Sequence, residues 1–219
     1  MCLVLVLFAV RESHPAERRA RHGLVGMLGM YGRIVRNRDA FGYLLANATA
    51  YGGMFAYFAG SPFVYIQLFH VRPENYGFLF ACNVIALMAV SIVNAKLVIR
   101  LGAHRLFVVG TVLIAMAGLV LLCTAITGFG GLPGIVIPLF VYVGSLSLIG
   151  ANSLALALDK FPQAAGSVSA LLGGVNFLFG SVCTGAVGLF HDGSALAMAG
   201  VIAATGLLTL ILQVGLTRQ

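Results

Sequence analysis

The chain has 219 residues, of which 60% are hydrophobic and only 9% charged, with 28 glycines and a mean hydropathy of +1.03. Soluble domains are about 45–50% apolar and about 25% charged, so the composition excludes a free-standing cytoplasmic enzyme and indicates a chain whose solvent is mostly lipid. The net charge of +7 comes from 13 Lys and Arg against 6 Asp and Glu; seven of the 13 lie between Arg11 and Arg38 and the rest stand singly between apolar runs, the pattern of membrane-protein loops and not of a nucleic-acid surface.

Cys2 to Val10 is a run of nine apolar residues that stops at Arg11. Nine helical residues rise about 14 Å against a hydrocarbon core of about 30 Å, so this segment cannot cross by itself. A secretory signal carries its basic residues before the apolar run and small residues after it. Here the arginines follow, so residues 1–10 read as the end of a severed transmembrane helix. Residues 11–40 form a basic loop, in which Leu24 to Val35 fits either an interfacial helix or a plain linker. Residues 41–219 carry six apolar runs, roughly Phe41 to Gln67, Tyr76 to Ala95, Leu106 to Thr127, Pro133 to Leu158, Ala164 to Phe190 and Ser194 to Leu216. The expectation is an all-α membrane bundle of six spans.

Twelve of the thirteen basic residues fall on one side of this arrangement and only Arg72 on the other. The positive-inside rule then puts the first loop, the connection bearing Lys96, Arg100 and Arg105, the connection bearing Lys160, and the C-terminus in the cytoplasm. Asp39, Glu74, Asp159 and Asp192 sit at span ends, and all five histidines lie in loops. With no imidazole in a span, a haem bundle is disfavoured. With no carboxylate there, so is a proton pump complete in this chain. The four cysteines sit in apolar runs without paired spacing and read as small buried hydrophobes, and no metal site or cofactor is expected. Ser145 within Gly144-Ser145-Leu146-Ser147 raises an intramembrane protease, but a serine nucleophile needs a base within hydrogen-bond reach, and the nearest candidates are loop histidines such as His191.

The uncharged polar residues fall on helical faces. The first span aligns Asn47, Tyr51, Met54, Phe58 and Tyr65; the second Asn83, Leu87, Ser91 and Asn94; the fourth Tyr142, Ser145, Ile149 and Asn152; the fifth Ser169, Gly173, Asn176, Gly180 and Thr184. The third and sixth carry little beyond threonine and glycine. Four striped helices and two plain ones suit a cavity lined by four and braced by two. Asn47, Tyr51, Phe58, Asn83, Tyr142, Asn152 and Asn176 are the candidate cavity residues for an apolar or amphipathic ligand. Helix–helix contact is the other reading of the same stripes, and for Gly173 and Gly180 it is the preferred one.

The order of spans resembles the C-terminal half of a major facilitator superfamily transporter. The connection from Asn94 to Arg105, with Lys96, Arg100, Gly102 and Arg105, is similar to that superfamily's cytoplasmic loop signature, although Ile99 stands where an acidic residue often precedes the Arg. Ser61-Pro62-Phe63-Val64-Tyr65 with Pro73 to Phe80, and Gly150-Ala151-Asn152 through Phe161-Pro162 to Gly173, resemble the Bcr/CflA-type drug:proton antiporters associated with bicyclomycin and chloramphenicol resistance. The resemblance implies a six-helix C-terminal half of a twelve-helix bundle in the bacterial inner membrane. It further implies multidrug efflux by alternating access, small amphipathic drug-like substrates, a gating role for Arg100, Gly102 and Arg105, and protons handled by the N-terminal half. On this reading the chain is inactive alone. A six-span scaffold, or a half-transporter pairing with a separate N-terminal half, is the alternative.

Overall fold

The computed structural model describes residues 24–217, and within them the chain is helical throughout, with no strands among the described residues. The apolar stub at residues 1–10 lies outside this range. Helix α1 spans Leu24–Arg36. The linker or helix ambiguity there resolves as helix: Ile34 is fully buried with Leu44, Ala157 and Val168 in a small separate core, while Arg33 and Arg36, in its last turn, face outward. Asn37 ends α1 and starts α2, its side-chain oxygen accepting from the Ala40 amide at 3.0 Å. This is N-capping, which satisfies one of the orphan donors of a helix start.

Helix α2 runs Arg38–Pro62 and continues as a π-helical turn, Phe63–Leu68. Then come α3 (Pro73–Leu101), α4 (Ala103–Thr127), α5 (Gly131–Lys160), α6 (Ala165–Leu189, after a 3-10 turn at Pro162–Ala164) and α7 (Leu196–Leu216). Each overlaps one of the six apolar runs; α2 begins at Arg38, three residues before the expected boundary, and α3 runs on to Leu101, six residues past the expected Ala95. Helices α3 to α7 are each long and apolar enough to cross a membrane. Helix α2 is the less apolar exception, and its place explains why: fifteen of its residues are buried, so its polar side chains meet other helices and not lipid.

The connections are short, which forces alternating direction. Gly102 alone joins α3 to α4 with φ 79°, a left-handed backbone that favours glycine because it has no Cβ to clash. One end of the bundle, where Arg38, Arg100, Arg105 and Lys160 lie, is the basic end. There Tyr43 bonds His104 (3.2 Å), Arg38 donates to the Gly215 carbonyl (2.7 Å), and Asp39 pairs with Lys160 (3.6 Å).

Packing divides the six long helices into two sets of three. Helix α2 packs on α6 and α7, the second and third helices of the later set; α5 packs on α3 and α4, the second and third of the earlier one. The first helices α2 and α5 cross at the centre, and the third helices α4 and α7 pack together. The α4–α7 contact is close because Gly118 and Gly206 leave room: a Cβ on Gly206 would lie 2.9 Å from the Ile114 carbonyl, and one on Gly118 3.0 Å from the Ala203 backbone. Each set of three runs opposite to the other through the membrane, so the fold is a pair of interleaved inverted repeats. Helices α3 and α6 are left outermost, with few of their residues buried.

Candidate functional site

Asn47 is buried and joins three helices: its amide nitrogen donates to Asn176 Oδ1 on α6 (2.9 Å), and its oxygen accepts from Ser153 Oγ on α5 (3.2 Å). Asn152 donates to Asn94 Oδ1 on α3 (2.8 Å) and to its own helix at Leu148 (2.7 Å). Both knots lie toward the basic end, about two to three helical turns inside it by the rise of the helix. Toward the opposite end, Asn83 donates to Tyr57 Oη (2.9 Å) and Ser61 shares a hydrogen bond with Tyr76 Oη (2.9 Å), which ties α2 to α3.

Between these tiers two tyrosines clasp α2 to α5 reciprocally. Tyr142 donates to the Ala50 carbonyl (3.0 Å) and reaches Thr205 on α7 (3.4 Å), with its hydroxyl lying where a side chain on Gly53 would be. Tyr51 on α2 sits against Gly150 on α5 in the same way, its hydroxyl 2.8 Å from where a Cβ would stand. Bulky polar groups at depth in a membrane are costly unless partnered. Asn47, Asn83, Tyr142 and Asn152 have found those partners in neighbouring helices.

Tyr51, Phe58 and Asn176 keep some accessible surface, Phe58 the most at 40%. Phe58 belongs to an aromatic wall on the α3 and α6 sides of α2. Ring centroids follow one another from Phe177 to Phe55 (5.8 Å), Phe58 (6.1 Å), Phe80 (5.6 Å) and Tyr76 (6.3 Å). Phe177 is 67% exposed. Such edge-on and tilted contacts hold rings in place while leaving faces open to an apolar ligand. Four of these five rings were not singled out in the sequence. Tyr57, Ser61 and Tyr65, spaced four apart, form a second stripe toward α3 that the sequence does display. Tyr65, grouped above with Asn47 and Phe58, belongs instead to this second stripe. It sits in the π-turn, where wider winding re-aims side chains, and it is fully buried.

Gly180 packs as expected, a Cβ there meeting the Phe55 ring at 2.6 Å, whereas Gly173 has nothing within 4 Å among the described residues. Cys183 is buried, but Cys82 and Cys123 are exposed on outward faces, against the expectation that all are buried. Ser145 donates to its own helix at the Val141 carbonyl (2.7 Å). His191 packs edge-on against Phe63 at 4.2 Å at the end of the bundle opposite the basic one, so the geometry offers Ser145 no base. Arg100, Gly102 and Arg105 are all exposed at the basic end. Near Phe63, in the α6–α7 loop, Asp192 accepts from the Ser194 hydroxyl (2.6 Å) and amide (3.0 Å), which holds its carboxyl below the usual range.

A half-bundle of interleaved inverted repeats with an open aromatic face defines a multi-pass membrane protein of the transporter class. The sequence profile of the Major Facilitator Superfamily matches residues 1–184, and the chain belongs to that family. Membership places it among transporters and not enzymes. It is 28% identical over 182 residues to the bicyclomycin resistance protein homolog of Haemophilus influenzae, covering 83% of this chain and 46% of that protein. It is also 28% identical over 227 residues to the uncharacterized MFS-type transporter YdgK of Bacillus subtilis, covering 100% of this chain and 54% of that protein. The chain thus spans about half the length of the curated relatives it matches.

Proposed function

We propose that this chain forms the C-terminal half-bundle of a bacterial inner-membrane multidrug exporter of the Bcr/CflA type, working by proton-coupled alternating access, with its C-terminus in the cytoplasm. The observation that carries the reading is the open aromatic wall of Phe55, Phe58, Phe80 and Phe177, a surface with no charged group of its own. It suits apolar and amphipathic solutes held with loose specificity. Tyr51 and Asn176, at its margin, add neutral hydrogen-bonding groups, while Asn47, Asn83, Tyr142 and Asn152 act on the cavity by fixing its walls. Asp39, Glu74 and Asp159 sit in the terminal turns of their helices and Asp192 in a loop, so proton coupling is assigned to a second six-helix half, against which this one rocks. The one-sided distribution of Lys and Arg supports the orientation, and it puts Arg100, Gly102 and Arg105 at the cytoplasmic rim, where they gate entry.

The test grafts this chain in place of the C-terminal half of the Haemophilus relative, whose name speaks for bicyclomycin. The graft is expected to raise bicyclomycin tolerance and drive dye extrusion that collapses with a protonophore, while this chain alone does neither. Extrusion by the chain alone would overturn its incompleteness. A graft that inserts and folds yet exports nothing would overturn the assignment.

A further inference from the structure

At the end of the bundle opposite the basic one, the turn from α2 to α3 and the start of α5 border a groove of about 620 Å³, away from the aromatic wall. Its walls divide by chemistry. His70, Arg72 and Asn75 bring hydrogen-bonding side chains, while Phe69, Leu79 and Leu132 are apolar, and no lining residue is acidic. Arg72, Asn75 and Leu79, spaced three and four apart, fall on one side of α3. Glu74, two residues past Arg72, is carried about 200° away by the helical rotation. Arg72 is the one Lys or Arg at this end among the described residues, and it forms no ion pair with them. The turn bearing these polar groups is fixed in place. The Val71 amide donates to the Tyr65 carbonyl (2.9 Å), and His70 takes a left-handed backbone with φ 51°, which histidine adopts more readily than most residues.

Depth in the membrane identifies the ligand. The stretch of α3 between Glu74 and Lys96 carries no charge, and its rise of about 33 Å matches a hydrocarbon core of about 30 Å. Arg72 therefore stands at the level of the lipid headgroups, and Leu79, about 10 Å further along the helix, at that of the acyl chains. A ligand that fits has an anionic head and an apolar body continuous with the bilayer. We propose that this groove binds one anionic phospholipid, its phosphate accepting from the Arg72 guanidinium beside His70 and Asn75, and its acyl chains lying over Leu79, Leu132 and the exposed ring of Phe78. Guanidinium suits phosphate because its planar fork can donate two parallel hydrogen bonds. A zwitterionic lipid brings an ammonium group that the same arginine repels, so the groove selects by net headgroup charge. The bound lipid fastens the α2–α3 turn to the start of α5.

Photo-crosslinking of the full chain in lipid nanodiscs, mapped by mass spectrometry, tests this. The probe is phosphatidylglycerol carrying a diazirine on an acyl chain, compared with the matching phosphatidylcholine at the same mole fraction. The segment from Phe69 to Leu79, together with Leu132, is expected to label at least several-fold more with the anionic probe. Arg72→Gln should abolish that preference, with labelling at the basic end as the control for folding. Equal labelling by the two probes in the parent chain would overturn the proposal, and this comparison needs no variant. A folded Arg72→Gln that keeps the preference would overturn it as well. So would loss of the labelling on adding millimolar inorganic phosphate, which would assign the groove to a free anion instead of a lipid.

Discussion

Gly53 and Gly173 look alike in the sequence, each a glycine on a polar-striped helix, yet the structure makes opposite predictions for them. A Cβ on Gly53 would collide with the Tyr142 hydroxyl and stand 2.7 Å from Thr205 Oγ1. Tyr142 would have to leave both its glycine seat and the Ala50 carbonyl. Overpacking of a well-fitted interior costs about 1–3 kcal/mol, to which the lost interhelical hydrogen bond adds about 0.6 kcal/mol. Gly53→Ala should therefore lower the thermal midpoint in detergent by several degrees. Gly173→Ala, with open space around it, should leave the midpoint unchanged or raise it slightly, since alanine is about 1 kcal/mol better than glycine inside a helix. Equal midpoints for the two variants would contradict the clasp. Periodicity put Asn47, Tyr51, Tyr142 and Asn152 on inward faces, but a stripe records a direction only. It could not say that Asn47 would meet Asn176 and Ser153, because a partner on another helix is fixed by where that helix packs.

At the scale of the element, α1 is the clearest case of a segment whose state depended on its surroundings. Thirteen residues are marginal as an isolated helix in water, and the composition of Leu24–Arg36 suits an interfacial position as well as a linker. Ile34 decides it by inserting between α2, α5 and α6, against Leu44, Ala157 and Val168. Removing a buried Ile side chain costs about 2–5 kcal/mol, enough to release so short a helix. Ile34→Ala should make trypsin cut after Arg33 and Arg36 at least several-fold faster, with the long helices still intact by circular dichroism. Unchanged cleavage would mean that α1 is held by lipid and not by the bundle. The π-turn at Phe63–Leu68 belongs to this scale too. Gly60-Ser61-Pro62 advertised a break, since proline cannot donate to the helix ladder, but the sequence did not state that the break would take the form of widened winding that turns Tyr65 toward α3.

Across the whole molecule, exposure separates helices that composition treats alike. Helices α3 and α6 are mostly exposed while α2 is mostly buried, and the cysteines offer a direct reading of this. In detergent, with labelling resolved by peptide, a small maleimide should modify Cys82 on α3 and Cys123 on α4 readily. Cys183, facing α2 beside Gly52, should remain unmodified until the chain unfolds. Rapid modification of Cys183 would place α6 away from α2 and undo the interleaved arrangement. In the assembled transporter proposed above, Cys82 should become slower than Cys123 if the second half covers α3, whereas α4 keeps its outward face.

The sequence by itself determined that this is a helical membrane protein, where its spans run, which end is basic and which superfamily it resembles. All of these depend on signals local to a segment: a run of about 20 apolar residues, a proline or glycine at an end, a cluster of arginines. Only the tertiary structure decided that α2 and α5 cross at the centre while α3 and α6 stay outside. It also decided that amides expected at a ligand are engaged with side chains of neighbouring helices, and that the aromatic wall of the candidate site is built by phenylalanines on three helices. The physical reason is that an apolar residue has the same hydropathy whether it faces lipid, a neighbouring helix or a solute. Which of these it meets depends on residues far away in the chain.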